Sequence, residues 1–248
     1  TTDDLGSIPA GETTAEEVTS HASLSYDLDE NSMAYVSYTE GFKAGGFSSR
    51  VIQLRPGAPP FDPEFAETFE LGFKGQFLDN RLKLLASIFT TEFTDIQIVA
   101  REEGNPVVFN AGDATIDGLE IEFEALLTDN LLMTGGIGYI DGSYDTIGSD
   151  IPGTALLVTL DSELPHTPEW TGNVSLAYNI AGEFANFILR ADYFYRDEMF
   201  FDANNSPEIA ASEAHNLNLS VDIDPVQLPV RFNLGVTNVT EDLHRIAG

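Results

Sequence analysis

Hydrophobic and polar residues alternate one by one along much of the chain. In "GLEIEFEALL" (118–127), for example, large apolar residues alternate with three glutamates. A period of two gives a strand one apolar face, and no helical pattern of comparable length competes with it. The sequence therefore predicts an all-β, antiparallel fold. About ten strands are expected, near 21–28, 32–41, 64–77, 81–99, 113–127, 131–145, 169–180, 185–199, 213–223 and 229–237.

One predicted strand is less regular than the others. The segment "RLKLLASIFTTEFTDIQIV" (81–99) carries apolar residues on both faces. Two interpretations are open: a single strand with a β-bulge, or two separate strands. The residues that follow it, about 100–112, are expected to form a loop.

The connections between the predicted strands alternate strictly in length. Short turns are expected at 29–31, 78–80, 128–130, 181–183 and 224–228, and long loops at 42–63, 100–112, 146–168 and 200–212. Hairpins with tight turns at one end and long loops at the other are typical of a transmembrane β-barrel. A soluble β-sandwich, which also alternates, remains the alternative.

Strand length and the position of aromatic residues favour the barrel. Strands of ten or more residues match a tilted membrane span, whereas sandwich strands are usually shorter. Aromatic residues cluster near predicted strand ends, as the aromatic girdles of a membrane barrel do. These are Phe77 and Tyr178 on the turn side, and Trp170, Tyr193, Tyr195 and Phe200 on the loop side.

Charge and composition exclude several functional classes. The chain has 41 acidic and 11 basic residues, a net charge of −30 and no cysteine. Such an acidic protein repels a phosphate backbone, so nucleic acid is not expected as a partner. The absence of cysteine excludes disulfides, thiolate metal sites and thiol catalysis. No apolar run is long enough for a transmembrane helix.

Several motifs in order resemble the C-terminal barrel of TonB-dependent outer-membrane receptors. They are "YVSYTEGFKAGGF" (35–47), "ETFELGFKGQF" (67–77), "TEFTDIQ" (91–97), "FNAGDATIDGLEIEF" (109–123) and "FNLGVTNVT" (232–240). The resemblance implies a fragment of a 22-stranded barrel. Residues 1–19 are then a loop or tail, and residues 20–248 are part of the barrel. The family's N-terminal plug domain and its last strand are expected to be absent.

The resemblance also implies a function. Receptors of this kind, in the bacterial outer membrane, take up scarce ligands such as a ferric siderophore, cobalamin or a saccharide. TonB supplies the energy through the plug domain, and outer-membrane lipid surrounds the barrel. No bond is made or broken, so neither enzyme activity nor a cofactor is expected. The alternatives are a passive porin-like channel and a secreted acidic β-sandwich that acts as a binding module.

Candidate ligand-binding residues lie in or beside the long loops. Three basic residues occur close together in an otherwise acidic chain and would attract an anionic iron chelate; alternatively, they hold their loop against nearby carboxylates. Aromatic residues and a histidine complete the candidate set, which is Lys43, Phe47, Arg50, Arg55, His166 and Trp170.

Other site chemistries are not supported by the sequence. The four histidines are far apart and lack metal-ligand spacing, so no metal site is expected. The "DGSYD" stretch (141–145) resembles the start of a calcium loop but lacks the downstream glycine and glutamate. The glycines around Lys43 do not have the P-loop spacing, and no helix is predicted after them. They are expected instead to let the strand break at Gly41 into an outer loop.

Overall fold

The computed structural model describes residues 14–47, 60–102, 105–148, 158–207 and 210–240. These residues form twelve β-strands: β1 (His21–Asp29), β2 (Ser32–Lys43), β3 (Glu64–Phe77), β4 (Leu82–Thr94), β5 (Gln97–Glu102), β6 (Asn105–Asn110), β7 (Ala114–Thr128), β8 (Leu131–Tyr144), β9 (Trp170–Ala181), β10 (Ala185–Arg196), β11 (Ala214–Pro225) and β12 (Phe232–Val236). Within the described part of the chain there is no helix long and apolar enough to cross a membrane.

Ten of the strands form a single antiparallel sheet. Its order is β1-β2-β3-β4-β7-β8-β9-β10-β11-β12, so each strand pairs with its neighbour in sequence, and β5 and β6 form a separate hairpin between β4 and β7. The prediction of about ten antiparallel strands is therefore confirmed. Hairpin after hairpin is the arrangement that the alternation of short and long connections predicts.

Of the two interpretations of residues 81–99, the one with two separate strands is confirmed, because the structure has β4 and β5 there. The loop predicted at 100–112 is wrong, because it contains β6. The break occurs at Asp95, whose backbone has φ of 55° and cannot continue a β ladder. Its amide donates to Asp113 Oδ1 at 3.3 Å and its carbonyl accepts from Asn110 Nδ2 at 2.7 Å, so side chains replace the lost strand pairing.

The register gives the sheet two different faces. Phe73 lies opposite Ala86, Ala86 opposite Ile121, and Ile121 opposite Ile137, so one apolar row crosses four strands. We call this side the apolar face and the other, which carries Glu122 and its neighbouring glutamates, the polar face. Ile137 on the apolar face is 46% exposed. Among the described residues, no second layer covers the apolar face, unlike the inner faces of a sandwich.

Aromatic side chains mark both ends of the apolar face. At the end with long connections, which we call the loop end, Tyr139 and Trp170 are cross-strand partners with ring centroids 4.6 Å apart. At the opposite end, the turn end, Phe77 lies 6.1 Å from Phe73 in a stacked arrangement. Aromatic residues at both borders of an apolar band are typical of membrane β-barrels.

Glycines on some strands make room for aromatic rings on the next strand. A Cβ atom added at these glycines would overlap the ring of the residue directly opposite. The ring thus packs against the neighbouring backbone and covers an otherwise bare part of the sheet. The three cross-strand pairs are Tyr35–Gly72, Phe89–Gly118 and Phe123–Gly135.

Tight turns close the hairpins at the turn end. Leu78, Asp79 and Asn80 have φ of 54°, 55° and 64°, so the chain reverses through the left-handed region. In the turn between β7 and β8, the Leu131 amide donates to Thr128 Oγ1 at 3.1 Å. These local hydrogen bonds satisfy the backbone where the strands end. The long connections therefore all lie at the loop end, where residues 44–63, 95–113, 145–169 and 197–213 join the strands.

Candidate functional site

The Gln97 side chain joins the first long loop to the β5–β6 hairpin. Its Nε2 donates to the carbonyl oxygens of Lys43, Ala44 and Asp62, at 3.3, 3.1 and 3.0 Å. Its backbone amide donates to Glu64 Oε2 at 2.5 Å. Gln97 is 8% exposed, so these bonds are largely shielded from water. One buried amide therefore fixes both ends of loop 44–63 to the hairpin.

Asn110, at the end of the same hairpin, makes a second junction. Its Oδ1 accepts from the Asp62 amide at 2.7 Å, and its Nδ2 donates to the carbonyl oxygens of Asp62 and Asp95 at 3.0 and 2.7 Å. Asn110 thus uses its acceptor and both donor hydrogens on main-chain groups. Together with Gln97, it fixes the position of the hairpin relative to β3 and β4.

A small apolar core lies at the loop end of the polar face. It combines residues from β5, β6, β7 and β8 with residues from loops 145–169 and 197–213. Because parts of three connections bury their apolar side chains together, these connections form one packed unit over the sheet. We call this unit the mouth cluster; its buried members are Ile98, Phe109, Ala111, Ala114, Tyr144, Val158, Leu164 and Ala203.

Hydrogen bonds between loops reinforce the mouth cluster. The Glu163 amide donates to Asn205 Oδ1 at 2.8 Å, and Asn205 Nδ2 donates back to the Glu163 carbonyl at 2.9 Å. The Ala203 amide donates to the Val99 carbonyl at 3.2 Å, which connects loop 197–213 to the hairpin. Adjacent connections are therefore linked to one another, and the surface they present is preformed.

Carboxylates at the loop end hold neighbouring loops in place. Asp113 Oδ2 accepts from Thr146 Oγ1 at 3.0 Å, and Asp145 Oδ2 accepts from Thr115 Oγ1 at 2.6 Å. Asp113 lies just before β7 and Thr115 is the second residue of β7, whereas Asp145 and Thr146 follow β8. Both bonds therefore join the start of β7 to the chain after β8. Within the described ranges, no group of three or more histidine, aspartate and glutamate side chains could hold a metal ion.

The hydroxyl of Tyr144 in the mouth cluster gives a test of this packing. Tyr144 is 4% exposed, and its Oη is buried without a hydrogen-bond partner among the described residues. Leaving a buried donor unpaired costs about 1–3 kcal/mol. We expect Tyr144→Phe to raise the free energy of unfolding of the purified receptor by about 1 kcal/mol. A denaturant titration monitored by circular dichroism measures this change.

Tyr193→Phe is the matched control for this substitution. Tyr193 Oη makes a 2.6 Å hydrogen bond to His215 Nδ1, so removing that hydroxyl breaks a bond that is made. The same titration should show a loss of about 1 kcal/mol. A loss of stability in Tyr144→Phe as well would contradict the interpretation that its hydroxyl is unpaired.

The structure places Lys43 and Phe47 at the start of loop 44–63. Lys43 is exposed at the end of β2, and its position opposite Glu64 puts it on the polar face. Phe47 is half-buried and follows the bridge between Gly46 and Phe61. Both residues are therefore close to the loops joined by Gln97. Arg50 and Arg55, predicted with them, lie outside the described residues.

His166 and Trp170, the other two candidates, lie in different surroundings. His166 is exposed in loop 145–169; its amide donates to the Phe200 carbonyl at 2.9 Å, and its ring meets Phe201 edge-on at 5.4 Å. It belongs to the linked loops. Trp170 is paired with Tyr139 on the apolar face, where it continues the aromatic border. The four candidates within the described residues thus do not converge on one pocket.

Arg196 is a loop-end residue that sequence reasoning missed. It is the last residue of β10 and lies opposite Thr171 and Ala214 on the polar face. Asn216 on β11 is on the same face, two residues from Ala214. The sequence carries a signal for it: Tyr193 and Tyr195 are expected in the loop-side aromatic girdle, and in a strand the residue after Tyr195 points to the opposite face.

Comparison with known proteins identifies the family. A sequence model described as "TonB dependent receptor-like, beta-barrel" matches residues 1–239. The chain belongs to this family. The family comprises receptors and transporters, not enzymes, and its barrels lie in the outer membrane. The predicted fold class, part of an antiparallel β-barrel, is therefore confirmed, and the apolar face corresponds to the lipid side of such a barrel.

The chain matches only part of the length of each relative. The chain is 27% identical over 222 residues to "Probable TonB-dependent siderophore receptor PiuA" from Acinetobacter baumannii, covering 83% of this chain and 29% of that protein. It is 30% identical over 124 residues to "Ferric-pyoverdine M114 receptor PbuA" from Pseudomonas sp. strain M114, covering 50% of this chain and 14% of that protein. The ferric yersiniabactin uptake receptor FyuA from Yersinia pestis has a similar fold, with a TM-score of 0.70 at 20% identity over 91% of this chain and 32% of that one. The chain thus spans less than a third of each.

Proposed function

We propose that the chain supplies part of the barrel wall and of the external binding loops of an outer-membrane receptor for a ferric siderophore, with uptake energised by TonB. The observation that carries this proposal is the linked loop end. Gln97, Asn110 and the mouth cluster hold connections of the sheet as one preformed surface. A passive channel has no need for such a surface, whereas a receptor gains affinity from preorganised binding loops.

A ferric siderophore is favoured over cobalamin or a saccharide because the relatives reported above are named as siderophore receptors. PiuA is named as a probable siderophore receptor and PbuA as a ferric-pyoverdine receptor. For this chain we propose Lys43, Phe47 and His166, with Arg50 and Arg55 beyond the described residues, as contacts for an anionic ferric chelate. For Trp170 we propose a place at the membrane border, because it lies on the apolar face.

Uptake of radioactive iron tests the proposed function. A strain that lacks the gene, complemented with the full-length protein, is supplied with ferric tris-catecholate and ferric tris-hydroxamate chelates under iron limitation. We expect uptake of at least one chelate to depend on the gene and to stop when TonB is deleted. Uptake that continues without TonB would support a passive channel, and gene-independent uptake of both chelates would contradict a siderophore receptor.

Regulation provides a second, independent measurement. Transcript levels of the gene are compared in cells limited for iron and in cells limited for carbon. A siderophore receptor should be induced by iron limitation. Induction by carbon limitation alone would favour a saccharide, and the proposed ligand class would have to change.

A further inference from the structure

His215 uses both nitrogens of its ring at the base of loop 197–213. Its Nδ1 lies 2.6 Å from Tyr193 Oη, and its Nε2 lies 3.3 Å from Glu213 Oε1. Tyr193 belongs to β10, which leads into the loop, and Glu213 immediately precedes β11, which follows the loop. The ring therefore connects the two arms of the loop base. Its side chain is 43% exposed, which lets it exchange a proton with the medium.

The two bonds of His215 depend on its protonation state. A carboxylate only accepts hydrogen bonds, so in the neutral ring Nε2–H donates to Glu213 and Nδ1 accepts from the Tyr193 hydroxyl. In the protonated ring both nitrogens donate, and the contact with Glu213 becomes an ion pair. Charge-assisted bonds are about twice as strong as neutral ones. Histidine changes its charge between about pH 5 and pH 8, so these contacts are strongest in acid.

The charged groups that face the ring are carboxylates. The Tyr195 ring lies 5.2 Å from the His215 ring, and the Tyr195 hydroxyl donates to Asp197 Oδ1 at 3.1 Å. Asp197 and Glu213, the first and last residues of the loop, therefore both lie beside the side chains that surround His215. On the other side of β11, Thr240 Oγ1 donates to the His215 carbonyl at 2.9 Å, and this hydroxyl carries no charge.

The basic residues of β10 are on the opposite face of the sheet. Arg190 and Arg196 lie on the polar face, where Arg196 is opposite Ala214, whereas His215 is opposite Tyr195. Neighbouring residues of a strand point to opposite faces, so the sheet lies between these guanidinium groups and the His215 ring. Within β10 and β11, a protonated His215 therefore meets carboxylates on its own face and no like charge.

We propose that Tyr193, His215 and Glu213 form a proton-sensitive clamp, which holds the base of loop 197–213 more firmly in acid than at alkaline pH. Protonation of His215 adds an ion pair to contacts that already join the two arms. The loop contributes Ala203 to the mouth cluster, so a firmer base holds the linked loops more firmly as well. This inference goes beyond the proposed function, because it does not depend on which ligand the loops bind.

Hydrogen exchange at the loop base tests the clamp. The amides of Met199 and Ala211 donate to each other's carbonyl oxygens at 3.0 and 2.8 Å, directly beyond the clamp. Their protection factors, corrected for the intrinsic pH dependence of exchange, are measured in the full-length receptor in detergent. We expect protection about two- to fivefold higher at about pH 5.5 than at about pH 8, because exposed ion pairs have effects of this size. In His215→Gln, which keeps a donor and an acceptor but does not titrate, the difference should disappear.

Two further variants identify the source of the effect. Glu213→Gln removes the charge but keeps an oxygen acceptor, so the pH difference should fall to less than about twofold. His21→Gln is the matched control. The His21 ring also bonds a hydroxyl at the loop end, Thr39 Oγ1 at 2.9 Å, but β1 is at the other edge of the described sheet. The pH difference in this variant should equal that of the wild type.

A purely structural role for His215 predicts a different result. His215→Gln would then lower protection equally at both pH values and leave the pH difference in place, and that result would overturn the clamp. Equal protection of the wild type at the two pH values would contradict it as well, and so would a full pH difference in Glu213→Gln. Ferric chelates play no part in this measurement, so a failure of the siderophore function leaves the clamp untouched, and the reverse also holds.

Discussion

Replacement of Ile121 by arginine should strongly reduce the amount of folded receptor in the outer membrane. Ile121 is the central residue of β7 and lies on the apolar face, opposite Ala86 and Ile137. An arginine on the lipid side near the bilayer midplane costs about 2–4 kcal/mol. The loss is measured as a decrease in the heat-modifiable band of membrane fractions, and as a lower urea midpoint in lipid vesicles.

Glu122→Arg is the matched control, because it places the same side chain one position further on the same strand. Glu122 is on the polar face, with Glu120 and Glu124 as neighbours of its own strand. An arginine there points away from lipid and gains nearby carboxylates, so folding should be nearly unchanged. Equal effects of the two substitutions would show that both faces of β7 meet the same environment, and would contradict a membrane barrel.

The sequence predicts most of the sheet because the alternation of residues is a local property. Most strands of the ten-stranded sheet have one apolar face, and a period of two identifies it without any knowledge of partners. At 81–99 the local pattern leaves two interpretations open, because apolar residues lie on both faces and the break depends on Asp95. Asp95 leaves the β region because Asn110 and Asp113 bind its backbone. Such distant contacts are not visible in a local pattern.

The candidate site was less predictable than the sheet. Gln97 and Asn110 belong to the motifs that identify the family, but their role depends on main-chain groups up to 54 residues away in sequence. Arg196 and Asn216 became notable only when the register showed them on the same face. Lys43 is predicted from its charge and its place beside a long loop, and neither carries information about which face of β2 it occupies. Site residues are defined by several strands together, whereas strands are defined by their own sequence.

The glycine-rich stretch after β2 leads to the second large expected effect. The strand does not break at Gly41: β2 continues to Lys43, and Gly41 pairs with Ala66. Gly45 is the restrictive position, because an added Cβ would overlap the Phe61 carbonyl oxygen and lie 2.9 Å from the carbonyl carbon of Asp62. These are backbone atoms, so the clash cannot be relieved by rotating a side chain.

Gly45→Ala should therefore open the base of loop 44–63. The two hydrogen bonds between Gly46 and Phe61, at 2.9 and 2.7 Å, hold the two arms of the loop together beside Gly45. An overlap of this kind costs about 2–3 kcal/mol, which corresponds to about 30- to 150-fold faster hydrogen exchange at the Gly46 and Phe61 amides. We also expect weaker binding of the ferric chelate, with the heat-modifiable barrel band unchanged.

Gly41→Ala separates this steric effect from the general cost of replacing a glycine. A Cβ atom added at Gly41 meets no atom within 4 Å, so exchange at the loop base and chelate binding should both match the wild type. If Gly41→Ala and Gly45→Ala gave the same result, the close approach at Phe61 would not control the loop. A large effect of Gly45→Ala alone would show that the glycine is kept for contact between two arms of one loop. Its neighbour Gly41 would then be an ordinary strand residue.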